Sequence, residues 1–209
     1  MLYLYPFLIS FIFIFLSELG DKTQILVLSF SSKNKAFHIL LGVALGTLFS
    51  HGLAILFGSK MSSIGSDSFI FYLKLLTYFT FIFFGIVGFI KLKKFSPDAT
   101  SLESNSKSRF LRFLGSLSKN CVLIVATTIA IGELGDKTFL ASIGLGVEYP
   151  LFKVSLILGS ICGMVASDSI AIFFGKWLGT KISTSIIEFL SNIIFVLFGV
   201  VGILDVLFS

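Results

Sequence analysis

Glu18-Leu19-Gly20-Asp21-Lys22-Thr23 recurs letter for letter as Glu133-Leu134-Gly135-Asp136-Lys137-Thr138, and both copies lie inside apolar runs. Each copy sets two carboxylates and an ammonium among Phe, Ile, Leu and Val. Ionisable groups at such positions are expensive, and they mark function unless a structural role accounts for them.

The rest of the sequence gives that apolar setting its meaning. Of 209 residues, 56% are hydrophobic and 13% charged, against roughly 25% charged in a soluble domain. The mean hydropathy is +1.02. Runs of about 20 apolar residues, enough to cross a bilayer, leave no room for a separate soluble domain. Twenty-six Phe and three Pro suit lipid-facing helices better than the alternation of a membrane barrel. The net charge of +5 would suggest nucleic acid in a soluble protein; here the Lys and Arg gather in short connections, as orientation-setting residues do, and no nucleic-acid partner is expected. Cys121 and Cys162 lack CxxC spacing, so neither a disulfide framework nor a thiolate metal site is read from them. With no basic region before the first apolar run, that run is read as a first span and not a cleaved signal.

Six apolar segments follow, at about 4–30, 36–58, 69–91, 120–145, 151–175 and 186–208. All are expected to be helical, because hydrocarbon offers the backbone no hydrogen-bond partner. The resemblance between halves extends past the motif. Gly42, Gly46, Ser50 and Gly58 match Gly159, Gly163, Ser167 and Gly175, and Phe84-Gly85-Ile86-Val87-Gly88 matches Phe198-Gly199-Val200-Val201-Gly202. The expected fold is an all-α membrane protein of six transmembrane helices, arranged as two inverted-topology three-helix repeats. Residues 1–92 form the first repeat, 93–118 a cytoplasmic linker, and 119–209 the second. Three spans per repeat insert the halves from opposite sides, a design whose binding site lies near the midplane between them. With the linker cytoplasmic, Lys33, Lys35, Lys91, Lys93, Lys94, Lys107, Arg109, Arg112, Lys119, Lys176 and Lys181 fall on that side, against Lys60, Lys74 and Lys153 on the other. Both termini are then extracytoplasmic.

On a helix, residues three apart share a face, so Glu18 and Asp21 should point together, as should Glu133 and Asp136. Four converging carboxylates suit a hard divalent cation such as Mn²⁺, Ca²⁺ or Mg²⁺, and a motif without Cys or His argues against zinc or copper. Thr23, Gln24, Thr138, Ser50 and Ser167 are candidate neutral oxygen ligands. Gly20 and Gly135 are candidate hinges at which the helix could unwind and free carbonyls. Carboxylates crowded in low dielectric also take up protons when a cation leaves, and that exchange is what antiport requires. His51 and Asp168 hold equivalent places in the second spans and, with Lys22 and Lys137, are candidates for a proton path or charge balance. The competing structural reading makes Glu18–Lys22 and Glu133–Lys137 simple i,i+4 ion pairs. Close helix packing is the expected job of Gly42, Gly46, Gly159 and Gly163. Asp67, Asp98, Glu103, Glu148, Glu188 and Asp205 are expected at solvated or interfacial positions.

Two copies of E-x-G-D-K-[ST], each on the first of three spans, resemble the divalent cation/proton exchanger family that includes the Golgi manganese transporter named transmembrane protein 165 and bacterial manganese exporters. The resemblance covers essentially the whole chain. It implies a secondary transporter, not an enzyme, that exports Mn²⁺, or Ca²⁺, from the cytoplasm in exchange for protons, without a resident cofactor. The family's motif acids fall on Glu18, Asp21, Glu133 and Asp136, with Lys22, Thr23, Lys137 and Thr138 completing the motif. Eukaryotic members often carry an N-terminal extension and a longer central loop, so this compact chain points to a bacterial plasma membrane before a Golgi membrane. The alternative is an acidic-ring divalent cation channel or uniporter without proton coupling. Oligomeric state is not legible.

Overall fold

A computed structural model describes residues 2–19, 21–31, 34–93, 120–181 and 184–208. Its elements are α1 (Leu4–Glu18), α2 (Lys22–Ser31), α3 (Ala36–Ile64), α4 (Asp67–Lys93), α5 (Cys121–Glu133), α6 (Lys137–Glu148), a 3₁₀ turn (Pro150–Phe152), α7 (Lys153–Lys181) and α8 (Thr184–Phe208). There is no strand among the described residues. The 94–119 connection, which makes up nearly all of the expected linker, and Gly20 lie outside those residues, as does the side chain of Lys22.

Among the described residues, four helices are long and apolar enough to cross a membrane: Ala36–Ile64, Asp67–Ile90, Pro150–Phe173 and Phe189–Phe208. This is a multi-pass membrane protein. The other two expected segments are each divided. Residues 4–30 form α1 and α2, and residues 120–145 fall on α5 and α6, with the break inside the motif both times. At 1.5 Å per residue, α5 and α6 together hold about 37 Å of helix.

The motif-bearing helices pack on helices distant in sequence. α1 lies along α7 and α5 lies along α3, while α3 packs on α7 and α4 on α8. Small residues allow the approach. A Cβ on Gly46 would stand 2.7 Å from the Ala126 carbonyl of α5, and one on Gly163 would stand 2.7 Å from the Phe11 carbonyl of α1. The two are repeat-related, and their packing role is as expected. Phe13 plugs the bundle centre, with its ring 5.0 Å from those of Phe195 and Phe198 and 5.5 Å from that of Phe81. Along α4, Tyr72, Leu76, Phe79, Phe83, Ile86 and Ile90 are exposed at helical spacing, which gives the bundle an apolar outer face for acyl chains.

Candidate cation site

The breaks between α1 and α2 and between α5 and α6 are turns with defined geometry. After α5, Leu134 has φ −61° and ψ 118°, Gly135 has φ +80°, and the Asp136 N–H donates to the Glu133 carbonyl at 3.1 Å. These are the angles and the hydrogen bond of a type II β-turn, whose third residue must take positive φ and is therefore Gly. After α1, Leu19 has φ −60° and ψ 119°, and the Asp21 N–H donates to the Glu18 carbonyl at 3.1 Å. The two copies thus turn alike over the residues described.

This changes how the acids are brought together. Glu133 and Asp136 were expected on one helical face; they stand instead at the two ends of a turn, because Gly135 ends the helix. The same break removes the i,i+4 relation between Glu133 and Lys137. The Lys137 ammonium lies 5.6 Å above the Phe195 ring, a cation–π position.

Glu18, Asp21 and Asp136 converge. One carboxylate oxygen from each lies within 4.8 Å of the others, so both turns contribute to one cluster. Glu18 is fully buried, and its electrostatic neighbours include Glu133, Asp21 and Lys137. Glu133, also buried, stands beside that triad. The Thr138 hydroxyl donates to its Oε2 at 3.1 Å, as the Thr23 hydroxyl does to Glu18 Oε2 at 3.4 Å. A hydroxyl five residues on thus braces each Glu in the same manner.

The second spans close the site from the sides. His51 is fully buried on α3, with Nδ1 2.7 Å from the Ser142 hydroxyl and Nε2 3.8 Å from Glu133 Oε2. Asp168, equally buried on α7, has Glu133 and Asp21 as electrostatic neighbours. Gln24 Nε2 donates to the Ser167 carbonyl at 3.1 Å and to its hydroxyl at 2.6 Å, pinning α2 to α7. The Ser50 hydroxyl donates to the Gly46 carbonyl of its own helix at 3.1 Å. Gln24, Ser167 and Ser50 are therefore engaged with protein partners.

Sequence reasoning missed two features. Ser142, the partner of His51, was hidden in an apolar stretch of α6. Glu148, expected at a solvated or interfacial position, ends α6 partly buried and takes the Lys74 ammonium at 3.1 Å and the Tyr78 hydroxyl at 2.5 Å, contacts that the sequence did not suggest. This clasp ties the end of α6 to α4 beside a cavity of about 380 Å³ that Tyr5, Tyr149 and Asp205 also line. Lys74, a charge within an apolar span, was the signal that could have found it.

With this geometry in view, the family described as divalent cation/proton antiporter GDT1 matches residues 6–94 and 121–208. "GDT1-like protein 1, chloroplastic" of Oryza sativa subsp. japonica is 27% identical over 96% of this chain and 62% of its own length. A Vibrio cholerae protein named "Putative manganese exporter" is 28% identical over 86% of this chain and 81% of its own. "Protein PAM71, chloroplastic" of Arabidopsis thaliana is 22% identical over 94% and 56%. The chain thus spans about three fifths of the length of the rice relative. No solved structure matches it.

Proposed function

The chain belongs to the divalent cation/proton antiporter GDT1 family, and on that premise we propose that it exports Mn²⁺, or Ca²⁺, from the cytoplasm in exchange for protons. The family is one of cation transporters, not of enzymes. The observation that carries the reading is the meeting of Glu18, Asp21 and Asp136 within 4.8 Å at the junctions of two broken helices, with Glu133 alongside. Hard divalent ions take carboxylate oxygen, and a cluster of acids in low dielectric holds either a cation or protons, because like charges cannot all remain ionised once the cation leaves. The Vibrio relative's name favours Mn²⁺ as first substrate. Six spans in two inverted repeats, as residues 1–92 and 119–209 around a cytoplasmic linker, fit the crossed packing of the motif helices. In that arrangement Gly20 and Gly135 are the hinges, both termini are extracytoplasmic, and the membrane is a bacterial plasma membrane.

Coupling is the test. In proteoliposomes, an imposed pH gradient is expected to drive Mn²⁺ uphill. Downhill flux indifferent to that gradient would instead mark a channel or uniporter.

A further inference from the structure

Glu18 and Glu133 hold the same place in two copies of one motif, yet of the two it is Glu18 whose carboxylate meets Asp21 and Asp136. Local structure does not separate them. Both turns close with the same backbone hydrogen bond, at 3.1 Å, and each Glu takes a hydroxyl from the Thr five residues on. Reach does not separate them either. The ends of a β-turn have Cα atoms less than about 7 Å apart, so Glu133 stands by Asp136 as Glu18 stands by Asp21.

The difference comes from α3. His51 is fully buried there, and its Nδ1 lies 2.7 Å from the hydroxyl of Ser142, which is fully buried as well. Its Nε2 has no hydrogen-bond partner and stands 3.8 Å from Glu133 Oε2, at ion-pair distance. Buried polar atoms are almost always bonded, and an exception calls for an explanation. Glu133 is 1% exposed, and a carboxylate so placed is costly unless it is paired. An imidazole fixed at one nitrogen by Ser142 turns the other toward that carboxylate. In the sequence repeat His51 aligns with Asp168, so Glu18 has no imidazole counterpart, and its Oε1 is left without a partner.

We propose that His51 is a positioning residue that engages Glu133 and keeps it out of the cation cluster, with Ser142 fixing which ring nitrogen faces the acid. The proposal rests on the transport reading above and concerns how tightly that same site holds its ion. Affinity for hard divalent ions is tuned by the number of charged ligands, and a fourth carboxylate would tighten a site that must also release its cargo. His51 thereby holds the site at three acids.

The test uses the full chain purified in detergent, with Mn²⁺ as probe and free Mn²⁺ followed by electron paramagnetic resonance. His51→Ala releases Glu133 and is expected to tighten Mn²⁺ binding by roughly threefold or more. Removing a ring that only filled space would weaken binding or leave it unchanged. In a Glu133→Gln background the same substitution should not tighten binding, because no acid is left to release. His51→Gln, whose amide can reach the same carboxylate, should keep the wild-type affinity. Ser142→Ala frees the ring and should shift affinity in the same direction as His51→Ala. Unchanged or weaker binding in His51→Ala overturns the proposal, as does tightening that persists without Glu133, and the transport reading survives both results. If His51→Ala does not fold, Ser142→Ala decides, and unchanged or weaker binding there overturns the proposal. Failure of both to fold overturns it too, because the pair is then a structural prop. Absence of Mn²⁺ binding in the wild-type protein, with Ca²⁺ equally silent, would sink the transport reading itself and the proposal with it.

Discussion

Replacing Gly135 with Ala isolates the cost of the turn that breaks the fourth expected span. At φ +80° the added methyl meets no atom within 4 Å, so steric crowding contributes nothing and the penalty is conformational. Left-handed backbone costs an L-residue roughly 1–2 kcal/mol. For a chain of this size, about 2–4 °C of melting temperature accompanies each kcal/mol, so the expected loss is about 2–8 °C in a detergent melt. Asn, which tolerates this region better than Ala, should recover part of it. Gly132, three residues earlier, supplies an internal control of opposite sign. It lies in the last turn of α5, where a Cβ finds only the Thr23 methyl at 3.9 Å, and Ala in helical backbone is favoured over Gly by up to ~1 kcal/mol. Gly132→Ala should therefore raise the melting temperature while Gly135→Ala lowers it. Equal shifts in the two variants would refute the turn geometry, and with it the division of the segment into α5 and α6.

Glu18→Gln, which removes one member of the converging triad, is expected to abolish Mn²⁺ transport in vesicles while leaving the protein inserted; wild-type transport in that variant would refute the assigned site. Mn²⁺ affinity should fall as pH falls, because the cation and protons compete for the same carboxylates, and equilibrium binding at several pH values would detect an absence of competition. Tyr78→Phe deletes a hydroxyl that donates to the half-buried Glu148 carboxylate; hydrogen bonds to charged groups contribute ~1.5–3 kcal/mol, and a denaturant titration should show a loss of that order. The same substitution made on Glu148→Ala should cost much less, since the partner is already gone.

The doubled motif made the acids that cluster legible, and glycine at its centre marked the place where the helices break. The form of the break was not legible, because a spacing of three residues serves a helical face and the ends of a β-turn equally well. Only the positive φ of Gly135 separates them. The convergence of Glu18 and Asp21 with Asp136, ahead of Glu133, depends on how two turns meet in space, which no spacing within one copy encodes. His51 was visible as an odd residue in an apolar span, whereas Ser142 looks like any small packing residue. The contacts of Glu148 with Lys74 and Tyr78 were not legible, because they join residues some 70 positions apart through tertiary packing.

The crossed pairing of the motif helices bears on how the protein is made. α1 finds its neighbour in α7 and α5 finds its neighbour in α3, so the broken segment of each half is covered by a helix from the other. A broken helix facing acyl chains would leave backbone groups without partners. When α1 leaves the ribosome, α7 has not been synthesised, so the Glu18–Asp21 turn is without its cover until the rest of the chain is made. Separate expression of α1 to α4 would leave α1 without that cover altogether. Fusion of the halves in one chain shortens the wait to the time needed to translate the second.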